Sequence, residues 1–289
     1  MASRLKEIIP NFRGVSGTKL YRSSRPDKLT NSSNILLLGR CSIKSIIDLR
    51  SKTELPPETL LDSYYKRVNE TKNIAKMHKK AEKREKNNKD ENYIGKHYNF
   101  QLIDMSYVKL VMKRIPFVWR IFVYVLFVFD KVFGTIRGYK TIAGRVLNNE
   151  GCGQLYVDII SASGDGLVQA LRPLCDVSNV PSLICCSWGK DRTGILSALI
   201  QELCGVKREV ILQEYEMSEK VIASTSLNKQ MFDYLKRFGL HERYAEAKRA
   251  AMEEMFAALT AKFGSVAEYL QLHGLTKEEL AKIVENVKC

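Results

Sequence analysis

The chain of 289 residues is poor in acid: 32 aspartates and glutamates stand against 46 lysines and arginines, for a net charge of +14. Such an excess favours anionic partners, namely phosphoproteins, acidic lipid surfaces or, with less weight, nucleic acid. No nucleic-acid-binding motif accompanies the charge, so none is expected as a partner. Metal-site spacing is lacking as well, because the seven cysteines are odd in number and scattered. No metal and no cofactor are expected. The opening residues, Met1 to Glu7, lead into no apolar core of signal-peptide length. A reducing, cytoplasmic setting is the expectation that fits these cysteines. Internal repeats are absent, and no low-complexity tract is long enough to argue disorder throughout. With 45% hydrophobic and 27% charged residues, the chain has the composition of a globular protein and the length for one large core.

What the sequence does contain is concentrated between Pro181 and Leu203, PSLICCSWGKDRTGILSALIQEL. The apolar run Leu183 to Cys185 predicts a buried strand of a parallel sheet. Ile195, Leu196, Leu199, Ile200 and Leu203 recur at helical spacing. Between strand and helix lies a loop with Cys186, Ser187, Trp188, Gly189, Lys190, Asp191, Arg192 and Thr193. Such a loop aims backbone N–H groups and the positive end of a helix dipole at its contents, which suits a phosphate dianion.

Cys186 turns an anion-binding loop into a candidate catalyst. A thiol at a helix N-terminus beside cations has its pKa lowered to roughly 3.5–7.5 and is nucleophilic without a separate base. Arg192, six residues on, is placed to grip two phosphate oxygens with its planar fork. Thr193 is placed to hydrogen-bond the thiolate and help it leave. The plainer reading of Cys186, an inert small hydrophobe closing a buried strand, stands against this. The whole Gly-Lys-Asp-Arg-Thr-Gly run between strand and helix favours phosphate handling.

This loop resembles the signature of cysteine-dependent phosphatases, above all the atypical tyrosine-phosphatase family with Gly-Lys-Asp-Arg-Thr-Gly loops. Further stretches agree in order: Asn11-Phe12-Arg13, Leu20 to Ser24, Ile47 to Ser51 with Glu54, Glu214-Tyr215 with Ser218, and Phe263 to Leu270 with Gly274. The resemblance implies Cys186 as nucleophile, Arg192 as phosphate grip and Asp191 as general acid. Asp48 and Arg50 are framework in that family, and Arg13 and Arg22 are expected near the mouth of the site. One departure is plain. The family usually has histidine before the nucleophile, and Cys185 stands there, which leaves the degree of thiolate activation open.

The remaining chain reads as α/β, a central mostly parallel sheet flanked by helices, with helical insertions and a helical C-terminal layer. A strand is expected at Leu20 to Arg22, a short helix at Asn34 to Leu38 stopping at Gly39, and a strand at Ser45 to Leu49. Another strand, His97 to Ile103, ends at Asp104. Site residues collect beyond the carboxyl ends of parallel strands, so Asp104 is the alternative general acid, as in dual-specificity phosphatases. Helices are expected over Gln154 to Leu174, Lys207 to Val221, and from Phe232 onward with breaks at Gly239, Gly264 and Gly274. One phosphatase domain, 1–289, is expected, with a charged insertion about 58–95 and an apolar, lid-like insertion about 106–147. The charged run Lys66 to Asp90 reads as a solvated helix or mobile insertion, with a membrane-surface or acidic-partner patch as the alternative. Within the apolar insertion, Ile115 to Phe133 approaches the length of a membrane span, which needs about 20 residues. Arg120 and Asp130 interrupt it. A span would also put Asp104 and Cys186 on opposite sides of a bilayer, although both belong to one sheet. A helix packed in the domain or capping the pocket is therefore expected, with interfacial membrane contact as the alternative.

The activity these features predict is hydrolysis of phosphotyrosine in proteins, with phosphoserine and phosphothreonine as further esters, through a phosphocysteine intermediate. Phosphoinositides are the alternative substrate. Lys190 is shared with phosphoinositide phosphatases of the phosphatase-and-tensin type, and a second cation deep in the pocket suits a second phosphate. A catalytically weak phosphate-binding module is the alternative of another class. Sulfur-transfer and arsenate-reducing enzymes also use cysteine loops but lack the Lys-Asp-Arg-Thr-Gly run.

Overall fold

The computed structural model describes residues 2–68 and 93–289. Among these residues six strands form one sheet: β1 (Arg13–Gly14), β2 (Tyr21–Ser23), β3 (Ser45–Asp48), β4 (Tyr65–Val68), β5 (Gly95–Asn99) and β6 (Ser182–Cys185). Their order across the sheet is β1-β2-β6-β3-β5-β4, and only the β1–β2 pair is antiparallel. The fold is α/β with a mostly parallel central sheet. β6 enters last in sequence yet lies in the middle, between β2 and β3. Its register sets Cys185 beside Ser23 on one side and Asp48 on the other. Cys186 therefore emerges at the carboxyl end of a central strand, where open α/β sheets place their sites.

Successive side chains of a strand point to opposite faces, and β6 shows what that does here. Leu183 and Cys185 face a core shared with α1 (Ala2–Ile8) and α2 (Ser32–Arg40). Ile184 and Cys186 face the larger core on the other side. That core is covered by α6 (Cys152–Ala162), α7 (Gly164–Leu171), α8 (Asp191–Leu203), α9 (Arg208–Ala223) and the C-terminal helices α11 (Arg249–Phe263), α12 (Val266–Leu272) and α13 (Lys277–Val287). Local signals fix several ends. Thr276 and Glu279 form a capping box that starts α13, and Ser265 caps α12 through the Glu268 N–H.

The strand expected at His97 to Ile103 runs instead from Gly95 to Asn99, and the chain turns out of the sheet before Asp104. β4 was hidden in the charged stretch, at its Lys66 end; residues 69–92 of that stretch lie outside the described residues. The helix expected over Gln154 to Leu174 is broken into α6, α7 and a short 3-10 turn, Arg172–Cys175. The apolar insertion is helical: α3 (Met105–Met112), α4 (Phe117–Phe133) and α5 (Arg137–Ile142). α10 (Leu227–Phe238) follows α9 and ends at Gly239, in the left-handed region at φ 71°. No helix among the described residues is long and apolar enough to cross a membrane.

Candidate active site

The loop between β6 and α8 is held from beneath by three of the stretches that the sequence resemblance picked out, around Asn11, Arg22 and Glu214. The Asn11 amide donates to the carbonyls of Trp188 (3.2 Å) and Gly189 (2.9 Å). Arg22, 1% exposed, donates to the Gly189 carbonyl at 3.0 Å and pairs with Glu214 at 3.4 Å. Arg13 donates to the Glu214 carbonyl and the Ser218 hydroxyl, each at 2.9 Å. Burial first, and then the neighbouring Arg22 charge, lower the Arg13 pKa to about 9. Both arginines are thus scaffold beneath the loop, a correction to the expectation that they reach its mouth. Gly189 sits at φ +67°, and a Cβ there would lie 2.3 Å from the Ser23 carbonyl oxygen. Only glycine fits that turn without displacement.

With its carbonyls so engaged, the loop keeps its amides for something else. Among the described residues, the backbone N–H groups of Ser187 to Thr193 donate to no other backbone group. They lead into the N-terminus of the 13-residue α8, the arrangement that attracts a phosphate.

Glu54, in the loop after β3, organises the cation of the site. Its carboxylate receives Arg192 Nη1 and Nη2, both at 2.7 Å, and the Ser187 hydroxyl at 2.5 Å. Ser51 holds it from the other side through its N–H and hydroxyl, both at 2.9 Å. Burial pushes the Glu54 carboxyl up, but the Arg192 hydrogen bonds and charge prevail and hold its pKa at about 2. The pairing is end-on. It leaves Arg192 Nε and the second proton of Nη2, a side-on fork, for another oxyanion. Burial works against the Arg192 charge, and Glu54 followed by Cys186 more than offset it, so the guanidinium stays charged.

The other expected residues are placed as follows. Asp191 is at the start of α8, where its Oδ1 accepts from the Tyr156 hydroxyl at 2.6 Å and lies 3.2 Å from Lys190 Nζ. Tyr156 in turn shares a 2.6 Å contact with the Tyr215 hydroxyl. Asp104 caps α3 through the N–H groups of Ser106 and Tyr107 and is exposed. Its carboxylate is engaged as a helix cap. Lys190 is fully buried and donates to the carbonyls of Tyr244 and Glu246, both at 2.7 Å. Burial opposes its charge, and Asp191 outweighs the burial and raises its pKa. The second cation expected in the pocket is therefore turned into the protein, clamped by three oxygens. Thr193 is buried, and its hydroxyl has no hydrogen-bond partner among the described residues, so it does not bond the Cys186 sulfur as expected. Trp188 is half-buried and meets the Tyr234 ring edge-on at 6.2 Å. Tyr234 is close enough to Glu54 and Arg192 to feel both charges.

Cys185 is fully buried, and that burial, with Asp48 next, raises its thiol pKa well above the ordinary value. It is a neutral core residue facing away from Cys186, and both thiols are free. Asp48 and Arg50 form a buried pair at 2.6 Å that also engages Asp27 at 2.7 Å. They are framework. Among the described residues no cluster of three or more histidine, cysteine or acidic side chains could hold a metal.

The model of the tyrosine phosphatase family matches residues 9–126 and 139–288. The chain belongs to that family. The unmatched gap, 127–138, falls at the end of α4. A tyrosine-protein phosphatase of Nostoc commune is 25% identical over 141 residues, 45% of this chain and 47% of that protein. The match thus spans about half the length of that relative. Among solved structures, the core catalytic domain of the PP-IP phosphatase SIW14 from S. cerevisiae, in complex with citrate, is similar over 78% of this chain and 86% of that one, at 20% identity and a TM-score of 0.34.

Three contributors escaped the reading of the sequence. Glu54 was visible as part of a motif without a role; the signal was its loop, which follows the strand adjacent to β6. Asn11 carried the same kind of signal. Tyr156 carried none, because α6 precedes the loop by some thirty residues with nothing to say which face meets Asp191.

Proposed function

We propose that this protein is a cysteine-dependent phosphatase acting on phosphotyrosine in proteins. The observation that carries the proposal is the end-on Glu54–Arg192 pair, which leaves the side-on fork of Arg192 free, together with the amides of Ser187 to Thr193 in the loop that follows Cys186. In the first step Cys186 Sγ attacks phosphorus and the ester P–O bond breaks. Asp191 gives its proton to the departing oxygen. In the second step water attacks the phosphocysteine, the P–S bond breaks, and the Asp191 carboxylate takes the water's proton. Tyr156 and Lys190 hold Asp191 by one oxygen, which supports it over Asp104, whose carboxylate is engaged in capping α3. Trp188 and Tyr234 offer an aromatic wall that suits an aryl ester. The phosphoinositide alternative loses the support it drew from Lys190, whose ammonium is enclosed. A reducing, cytoplasmic compartment suits a free Cys186.

The test is turnover of a phosphotyrosine peptide, a phosphoserine peptide, a phosphoinositide panel and a series of aryl phosphates. Cys186→Ser should abolish turnover, and Cys185→Ser should leave most of it. Asp191→Asn should slow esters with poor leaving groups far more than activated ones. Substantial turnover by Cys186→Ser would end the proposal. Vanadate binding without turnover in the wild type would reduce the protein to a phosphate-binding module.

A further inference from the structure

α4 is apolar on both faces, and only one face is covered. Val123 and Asp130 are buried against the domain. On the opposite side Val118, Ile121, Phe122, Val125, Val128 and Val132 lie bare, from 46% exposed at Phe122 to 75% at Val118. Their spacing puts them on one stripe along a helix about 25 Å long. A stripe of this size on a soluble surface marks an interaction site.

The charge around the stripe says what covers it. Between Met105 and Leu147 there are eight lysines and arginines and one acid, Asp130. That acid is turned inward, accepting from Thr135 and from the N–H groups of Arg137 and Gly138. Lys109, Lys113, Lys131 and Lys140 are exposed. Arg120 and Lys131, three turns apart, run along one edge of the bare stripe. A second copy seated on this face would oppose cations with cations. An anionic bilayer offers hydrocarbon to the stripe and phosphate and carboxylate to its basic edges.

We infer that α4 docks flat on an anionic phospholipid surface, its Val118–Val132 stripe below the headgroups, with Lys131 and the exposed Lys109, Lys113 and Lys140 of the flanking segments among them. A line of ring contacts joins the covered side of α4 to the candidate active-site loop. Phe127 of α4 meets Tyr139 at 5.1 Å, Tyr139 meets Phe238 at 6.2 Å, Phe238 meets Tyr234 at 4.5 Å, and Tyr234 meets Trp188 of the loop at 6.2 Å. Docking requires no turnover, so its failure and a failure of the phosphatase proposal are separable.

The experiment is co-sedimentation of the full chain with phosphatidylcholine vesicles, plain or containing about a quarter phosphatidylserine. Wild type should partition onto the anionic vesicles roughly tenfold or more above the plain ones. Ile121→Glu/Val125→Glu/Val128→Glu should abolish partitioning while Tm and aryl-phosphate turnover hold. Lys109→Gln/Lys113→Gln/Lys131→Gln/Lys140→Gln, which leaves the apolar stripe intact, should lower anionic binding to the level of plain vesicles. Equal binding to both vesicle types, or anionic binding that survives the lysine changes, would overturn the inference. So would a solution dimer that the triple glutamate variant dissolves, with no vesicle binding in the wild type; the face would then belong to a second copy.

Discussion

The Cys186 loop and the helix α4 are built on opposite terms. Beneath the loop, Arg22, Arg13, Asn11 and Glu214 converge from three parts of the chain, all nine-tenths buried or more, and each meets a defined partner. α4 is tied down by one side, and its other side presents bare carbon to water. The loop surrenders its conformational freedom to hold amides and a guanidinium in place before any anion arrives, which is how a site lowers the cost of binding one. The helix leaves its apolar surface to be covered by something else. A buried ion such as Arg22 is costly unless every charge near it is matched, so change there propagates. Exposed apolar carbon on α4 carries no such debt to its neighbours.

The sharpest way to break that contrast is Gly189→Ala. The added Cβ would meet the Ser23 carbonyl oxygen at 2.3 Å in a backbone conformation that side chains avoid. A stability loss of about 3 kcal/mol is expected from the strained backbone alone, read by urea unfolding, with turnover falling at least as far as the folded fraction. A variant as stable and active as wild type would show that the loop is not fixed by Asn11 and Arg22.

Next in size is Glu54→Gln. Loss of the charge-assisted pair with Arg192 should lower kcat/KM by roughly ten- to a hundredfold. It should also change stability in a pH-dependent way. The Glu54 pKa is depressed, from the ordinary 4.5 to about 2, so its contribution is fully present above 4.5 and fades as pH falls toward 2. The gap in unfolding free energy between wild type and Glu54→Gln should therefore close across that window. A gap independent of pH would mean that Arg192 is positioned by something other than the Glu54 charge.

The smallest effect belongs to α4. Val128→Ser, at a position 66% exposed, should shift unfolding free energy by no more than about 0.5 kcal/mol, read in the same urea titrations. A larger loss would mean that the stripe is packed in solution and would erase the difference between the two regions.

How much of this was legible beforehand follows a physical line. The strand, loop and helix around Cys186 could be read because apolar periodicity changes from strand to helix across a glycine-bearing loop, and both signals are local. The parallel sheet and the breaks at Gly239, Gly264 and Gly274 were legible for the same reason. Side-chain direction was not. Lys190 and Arg192 are two residues apart, and whether a cation faces a phosphate or a pair of carbonyls depends on Tyr244 and Glu246, more than fifty residues away. Asp104 stood after a strand that turned out to end at Asn99, so its place beyond the sheet could not be counted from the sequence. Arg13 and Arg22 were in the right neighbourhood and on the wrong side of the loop, because burial of an arginine needs partners that sequence leaves unnamed.

The seven thiols of this chain are graded by accessibility: Cys185, Cys186 and Cys204 are buried, Cys41, Cys152 and Cys175 are partly covered, and Cys289 alone among them is exposed. A bulky maleimide fluorophore should therefore mark Cys289 first. The Cys289 N–H donates to the Gly17 carbonyl, and Thr18 pairs with Lys288, so the dye would ride on the turn between β1 and β2. Energy transfer from that beacon to labelled lipid would report how the whole body is oriented on a vesicle, without a single engineered cysteine.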